Sequence, residues 1–293
     1  MATGLKEVDS KNPRLHFDIY AILEGSQELY LGDEVQVNVN LVESIKLETK
    51  DGDELEKCYI SPTKRRGVER RCLLWAPVKS GVLLGDKQNC GIPKTCAEPD
   101  CPICGPYGAL DPGKRTLIGR VTHGGGVAVQ GLYPVEKQRA MHPAIISNEM
   151  KSKEEKPIPF RRQYNQPGLL YPVYDHALSV TDREFSAVAY AFLDSLARIG
   201  SGNPKGVALA ESNEKMPLLV VDRYLSPRGK RPVISPSVTD PREAIEDFLR
   251  LARSIGEGAD YTELSHFERW IGDVALEKLQ EYAGQFVESE LQA

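Results

Sequence analysis

LLYPVYDHALSVTDREFSAVAYAFLDSLARIG, residues 169–200, holds both periodicities on which the fold turns. Leu169 to Val180 is an apolar, aromatic and β-branched run that reads as a strand. At Thr181 the period changes. Thr181 with Glu184 three residues on makes a capping box, and Phe185, Val188, Ala189, Phe192, Leu193, Leu196 and Ile199 form one apolar stripe, so the spacing predicts a helix that Gly200 ends. Outward from this unit, Leu15–Leu23 and Glu34–Leu47 read as strands, the second with Val35, Val37, Val39 and Leu41 on one face. Met216–Leu225 reads as a buried strand, and residues 116–121 and 126–132 as two strands broken by His123-Gly124-Gly125-Gly126. Ser61-Pro62 opens a short helix ending near Leu73-Leu74-Trp75. Asp240 caps a further helix, and another is expected from about Tyr261 to Glu290. Strands and helices mix without regular alternation, so the expected fold class is α+β with a largely antiparallel sheet.

Three stretches stand apart from this single core spanning 1–293. Residues 80–113 are dense in Gly, Pro and Cys and lack apolar periodicity, as in a small module held by something other than a core. Residues 148–168 are rich in charge and proline and read as an exposed insertion loop. Residues 240–293 form a helical C-terminal segment.

With 41% hydrophobic and 27% charged residues among 293, the composition is that of a soluble globular chain, which excludes disorder and collagen. Apolar runs are only a few residues long, so no membrane span or membrane partner is expected. Met1-Ala2-Thr3-Gly4-Leu5-Lys6 lacks a signal-peptide core, from which a cytoplasmic location is expected. The net charge of −5 argues against a polyanion partner until it is resolved along the chain. Met1–Lys57 carries 6 basic and 13 acidic residues and Asp240–Ala293 carries 5 and 13, leaving 26 and 16 between them. The segments are therefore −7, +10 and −8. Because the local field attracts phosphate, the basic middle points to a polyanion site.

Cys90, Cys96, Cys101 and Cys104 fall in the string CGIPKTCAEPDCPICG. Cys101-Pro102-Ile103-Cys104-Gly105 is a C-x2-C knuckle, which lets two thiolates reach one tetrahedral ion, and Cys90 and Cys96 can supply the other pair. His142 or His123 could instead replace Cys90. Four thiolates close the coordination shell of Zn²⁺, so the expected role is structural. Cys58 and Cys72 read as small buried hydrophobes.

The run Lys64-Arg65-Arg66-Gly67-Val68-Glu69-Arg70-Arg71 carries five positive charges and one negative. On a helix, Arg66 and Arg70 stack at i,i+4, with Lys64, Arg65 and Arg71 flanking them. Such a row can follow a sugar-phosphate backbone, each guanidinium holding phosphate oxygens in a fork. The alternative is a solvated face balanced by acids from elsewhere. Arg120 before the glycine turn, Lys137 and Arg139, and Arg161-Arg162-Gln163-Tyr164 are weaker clusters of the same kind, the last with an aromatic ring to stack on a base. None reads bases by itself, so sequence-independent binding is expected. No nucleophile elbow, His-Glu metal helix or paired acids occur. His123 beside the glycines is the one residue to test as a general base in a rival, RNA-cleaving reading.

The segments SPTKRRGVERRCLLW, CGIPKTCAEPDCPICG, RTLIGRVTHGGGVAVQGLYPVEKQRAMHP and TDREFSAVAYAFLDSLARIG together resemble the backbone subunit of CRISPR effector complexes, within the repeat-associated mysterious protein superfamily, in its subtype I-D form. The likeness runs across most of the chain and rests on the order and character of segments more than on a strict motif. It implies an RNA-recognition-motif-like core of ferredoxin topology with insertions. Several copies would line a single-stranded guide RNA beside other effector subunits, binding its backbone without catalysis in an archaeal or bacterial cytoplasm. It would place residues 64–71, Arg120, Lys137 and Arg139 in the RNA groove, and the 148–168 loop against a neighbouring copy or the guide. The aromatic G-F-x-F pattern of ordinary RNA-recognition motifs is not evident, so stacking on the sheet face does not follow from the resemblance.

Overall fold

Leu15–Glu24 (LHFDIYAILE) forms the central strand β1, apolar toward both sides because both sides are covered. The computed structural model describes residues 13–36, 39–48, 52, 54–113, 115–141, 158–201, 205–255 and 266–292. After β1 come strands β2 (Gly32–Gln36), β3 (Val39–Val42), β4 (Ser44–Glu48) and β5 (Glu54–Cys58), then helices α1 (Pro62–Leu74), α2 (Leu84–Lys87) and α3 (Cys104–Tyr107). Strands β6 (Ala109–Asp111), β7 (Arg115–Leu117), β8 (Val121–Gly125), β9 (Val135–Met141), β10 (Ile158–Tyr164) and β11 (Leu170–Val180) follow. The chain continues with α4 (Asp182–Leu196), β12 (Ala208–Leu209), β13 (Leu219–Tyr224), α5 (Pro241–Ala252), β14 (Glu268–Ile271) and α6 (Asp273–Phe286).

The main sheet has the order β14-β13-β1-β11-β8, every neighbour antiparallel, with β12 on the end of β1. In chain order β1-α1-β8 and β11-α4-β13 are two split βαβ units. Each brings two parallel strands to either side of a strand from the other, so the four central strands lie fourth, first, third, second. The mixed α and β architecture with an antiparallel sheet and a C-terminal helix agrees with the sequence reading.

Strand alternation divides the core. Phe17, Ile19, Ala21 and Leu23 face a large cluster built with Val68 and Leu73 of α1, Phe185, Val188 and Phe192 of α4, and Leu279 and Phe286 of α6. Phe17 stacks on Phe185 at 3.9 Å and 14°, and Tyr282 meets Phe185 edge-on at 5.0 Å. Burying each such ring contributes about 1.5–3 kcal/mol. Tyr20 and Ile22 face the other way, into a smaller cluster with Ala244, Phe248 and Ala252 of α5.

The capping box at Thr181 forms, the side chain accepting from Glu184 N and Glu184 accepting from Thr181 N. The helix it opens ends at Leu196 rather than at Gly200, because Val207 and Gly206 bond the Leu196 and Ile199 carbonyls. Four other expectations fail. The run 34–47 is not one strand: β2 and β3 pair antiparallel from Gly32↔Val42 to Gln36↔Val39, and alternation alone cannot reveal a reversal. The His123-Gly124-Gly125 stretch lies inside β8, since a Cβ at Gly124 would fall 2.1 Å from the Tyr174 ring and one at Gly126 would fall 2.1 Å from the Ile60 carbonyl oxygen. The 148–168 segment is a loop only in part, as 158–164 is β10, pairing antiparallel with β9 and parallel with β3. Residues 148–157 lie outside the described residues. The helix expected from Tyr261 is preceded by β14, which pairs with β13, and begins at Asp273.

Candidate nucleic-acid interface and metal centre

The four cysteines converge from two turns and α3. Cys90 Sγ lies 3.4 Å and Cys96 Sγ 3.6 Å from Cys104 Sγ, and the four sulfurs all lie within 4.8 Å of one another. A metal–sulfur distance of about 2.3 Å in a tetrahedron requires sulfurs about 3.8 Å apart, so the set fits one ion. The Cys104 amide points at Cys101 Sγ, as a knuckle requires. Hydrogen bonds from the Cys101 and Cys104 thiols hold the Cys90 thiol below its ordinary value. Among the described residues the cluster is made of the four cysteines alone: His123 is bonded to Glu69, and His142 lies outside the described residues. The remaining cysteines are apart and inert, burial pushing both Cys58 and Cys72 up to about 12.

This insertion is locked to the rest of the molecule. Tyr107 donates to Glu69 of α1 at 2.8 Å, Arg66 of α1 donates to the Tyr107 carbonyl, and Arg120 bridges the Gly105 carbonyl to Glu184 of α4. An ion bound there would therefore be tied through these contacts to α1 and α4.

Helix α1 separates the expected basic row by face. Arg65, expected in the groove, is instead turned inward and 2% exposed. Its guanidinium meets Asp175 at 2.5 Å and donates to the Gly124 carbonyl at 3.0 Å. Glu69, one turn on, accepts from His123 Nε2 at 2.8 Å. Burial would raise Glu69, but His123, Arg65 and Tyr107 outweigh it and hold it below its ordinary value. Burial lowers His123 less than Asp175 and Glu69 raise it, whereas burial of Asp175 prevails over Arg65 and raises that carboxyl. Sequence reading did not foresee this network of Arg65, Glu69, His123, Asp175 and Tyr107. Its one visible trace is the lone acid inside the basic run. The His123 side chain is 1% exposed and engaged by Glu69.

The outward face carries Lys64, Arg66 and Arg71. Two cavities flank the start of α1. One, of about 350 Å³, is lined by Leu31, Thr63, Lys64, Gly67, Arg71 and Ser201 among others. The second, about 320 Å³, lies beside Pro62, Thr63, Arg66, Gly119, Thr122 and His123. Neither is lined by a carboxylate. Ser61 provides no side-chain cap and no acid sits in the first turn, so the Thr63 and Lys64 amides and the helix dipole add positive potential at this point. Arg71 has no hydrogen-bond or ion-pair partner among the described residues, while Lys64 is held by Glu43 at 2.6 Å.

The other candidates are dispersed. In Arg70, Nε and Nη2 are buried without a partner among the described residues. Arg120 serves Glu184, and Lys137 pairs with Glu28 at 2.5 Å. Arg139 stands opposite Phe160 in the β9–β10 pair, and its side chain lies outside the described ones. Arg161 is exposed on β10, and Arg162 lies over the Tyr30 ring at 4.8 Å. Among the described residues no helix is long and apolar enough to cross a membrane.

No protein-family model matches the sequence, and no curated protein matches it. Solved structures do. The crystal structure of Thermofilum pendens Csc2 is similar with a TM-score of 0.43 and 14% identity, covering 97% of this chain and 80% of that one. A chain of a CRISPR RNA-guided surveillance complex is similar with a TM-score of 0.45 and 12% identity, covering 87% of each. A chain of the Csm3-Csm4 subcomplex of the type III-A CRISPR-Cas interference complex has a TM-score of 0.40 and 12% identity, covering 93% and 97%.

Proposed function

We propose that the chain is a non-catalytic subunit that binds single-stranded guide RNA through its sugar-phosphate backbone and multiplies along it as the backbone of a CRISPR effector complex. The observation that carries this reading is the pair of cavities at the start of α1, lined by Lys64, Arg66 and Arg71 without a carboxylate. Phosphates suit such sites, because cations, amides and a helix dipole converge there while the neighbouring acids are consumed by Arg65 and His123. The fourth-first-third-second strand order supports a ferredoxin-type, RNA-recognition-motif-like core. The segments quoted above favour the subtype I-D form and an archaeal or bacterial cytoplasm. In this reading Arg161 and Arg162 of β10 extend the groove, and Zn²⁺ on Cys90, Cys96, Cys101 and Cys104 fixes the insertion that holds Arg66. The ion's role is structural, four thiolates leaving no open position.

The test is a gel-shift titration with labelled single-stranded RNA of several sequences. Wild-type protein should shift all of them comparably, leave them uncut and lose affinity as salt rises. Arg66→Glu with Arg71→Glu should weaken binding uniformly, by about tenfold or more. Unchanged affinity of the double variant at moderate salt, or cleavage of the RNA, overturns the reading.

A further inference from the structure

The cavity of about 350 Å³ beside α1 is larger than a phosphate needs, and it is not polar throughout. Its volume falls at the lower end of the roughly 300–1,000 Å³ of pockets that hold whole organic ligands. Leu31, Ile60, Val68 and Ile199 line its inner part, and all four belong to the large core cluster. Lys64 and Arg71 of α1 bring the positive charge. The Lys64 ammonium is already spent on Glu43 and on the Leu31 and Gly32 carbonyls, so an anion falls to Arg71. An apolar floor under a cationic rim suits a ligand with a flat apolar body and an anionic end.

Gly67 is the second observation. It lies in the interior of α1, where glycine is less stable than alanine. Packing does not require it there. A Cβ at Gly85 or Gly119 would fall 2.8 Å from a backbone oxygen, whereas one at Gly67 would meet a single atom within 4 Å, Arg71 Nη1 at 3.5 Å. Gly67 and Arg71 both line the cavity, so the space that a side chain would take is cavity space. A helix that forgoes a side chain at this point exposes its backbone to whatever enters. The opposite lip is Ile199, Gly200 and Ser201, just past α4. Ser201 N bonds the Tyr30 carbonyl and Gly206 N the Ile199 carbonyl, which holds that lip in place. Thr63 and Ser201 are exposed, one on each lip, with hydroxyls that both donate and accept.

We propose that this cavity binds one nucleoside 5′-phosphate unit. Its base passes over Gly67 onto the floor of Leu31, Ile60, Val68 and Ile199, and its phosphate is held by the Arg71 guanidinium at the rim. Thr63 and Ser201 meet the sugar hydroxyls. Four aliphatic side chains offer no hydrogen bond to a base edge, so the floor accepts any base. The inference rests on the anion-binding reading of this cavity given above and adds the base to it.

The full chain is titrated calorimetrically with AMP, CMP, GMP and UMP, with inorganic phosphate, and with adenosine and uridine. Each mononucleotide should bind at least about tenfold tighter than inorganic phosphate, because the base buries apolar surface that phosphate lacks. Gly67→Leu, which fills the cavity, should abolish that binding. Gly67→Ala guards against misfolding: it should raise Tm by about 2 °C and still weaken the mononucleotides. Arg71→Gln should weaken the mononucleotides and leave the nucleosides unchanged. Saturating single-stranded RNA then separates the two sources of the unit. Displacement of a bound mononucleotide places one nucleotide of the strand in the cavity, and retention makes it a pocket for a free nucleotide. Mononucleotides that bind no better than inorganic phosphate, or that bind Gly67→Leu as they bind the wild type, overturn the pocket. If they fail while the wild type still shifts RNA, the pocket falls and the RNA-binding reading stands. If they bind and RNA does not, the RNA-binding reading falls and the pocket stands.

Discussion

Arg65 and Arg66 are adjacent and chemically identical, yet α1 sends one into the protein and the other outward. Arg65 is 2% exposed between Asp175 and Glu69, so its removal strands two buried carboxylates beside a single histidine. Breaking a buried pair from one side costs about 3–5 kcal/mol, because the surviving charge keeps its desolvation penalty. Arg65→Met should therefore lower the denaturation midpoint by a margin worth about 3 kcal/mol or more. Arg66→Met gives up one bond to the Tyr107 carbonyl and should cost about 1 kcal/mol. Urea titrations of the two variants decide it, and equal midpoints would refute the division of labour. The sequence showed that this run was basic but not which arginine turned inward. That choice depends on Asp175 and His123, which meet α1 only once β8 and β11 pair. The isolated Glu69 was the available hint, since an acid at i,i+4 from Arg65 shares its helix face and can pair with it.

Among elements, those legible beforehand carried their own local signal. α4 announced itself by the Thr181 capping box and apolar stripe, α5 by Asp240, β11 by its apolar, aromatic and β-branched run, and β13 by an apolar run buried on both sides. What failed depended on partners distant in sequence. β10 looked like charged loop because its pairing with β9 and β3 joins segments distant in sequence, and only Tyr164 at its end shows a fully buried side chain among the described ones. β8 looked like a glycine turn because its glycines accommodate Tyr174 and the Ile60 carbonyl. The cysteine insertion lies between these cases: the C-x2-C knuckle was readable, but not that Tyr107 and Gly105 would tie it to Arg66 and Arg120. From that tie a metal-removal experiment follows. Purified protein should contain about one zinc per chain. Stripping it, or substituting Cys101→Ser with Cys104→Ser, should lower Tm and open residues 88–108 to protease, as expected where metal binding is part of folding. A metal-free protein with the same Tm and the same digestion pattern would remove the metal from the account.

At the scale of the molecule, the net charge of −5 conceals a chain of −7, +10 and −8, and folding sorts the basic part further. Arg65, Arg120 and Lys137 are committed to Asp175, Glu184 and Glu28, so only part of the +10 can act on a polyanion. Counterion release makes this division measurable. Each phosphate neutralised on a single strand adds about 0.7 to the slope of log affinity against log salt. Arg66→Gln and Arg71→Gln, which line the two cavities, should each reduce the slope by about 0.7. Lys137→Gln removes a charge that Glu28 already compensates, and should leave the slope nearly unchanged. Affinities for one RNA oligomer measured between about 50 and 200 mM salt separate these outcomes. If all three substitutions reduced the slope alike, the basic middle would be acting as a diffuse charge, and the two cavities at the start of α1 would lose their special standing.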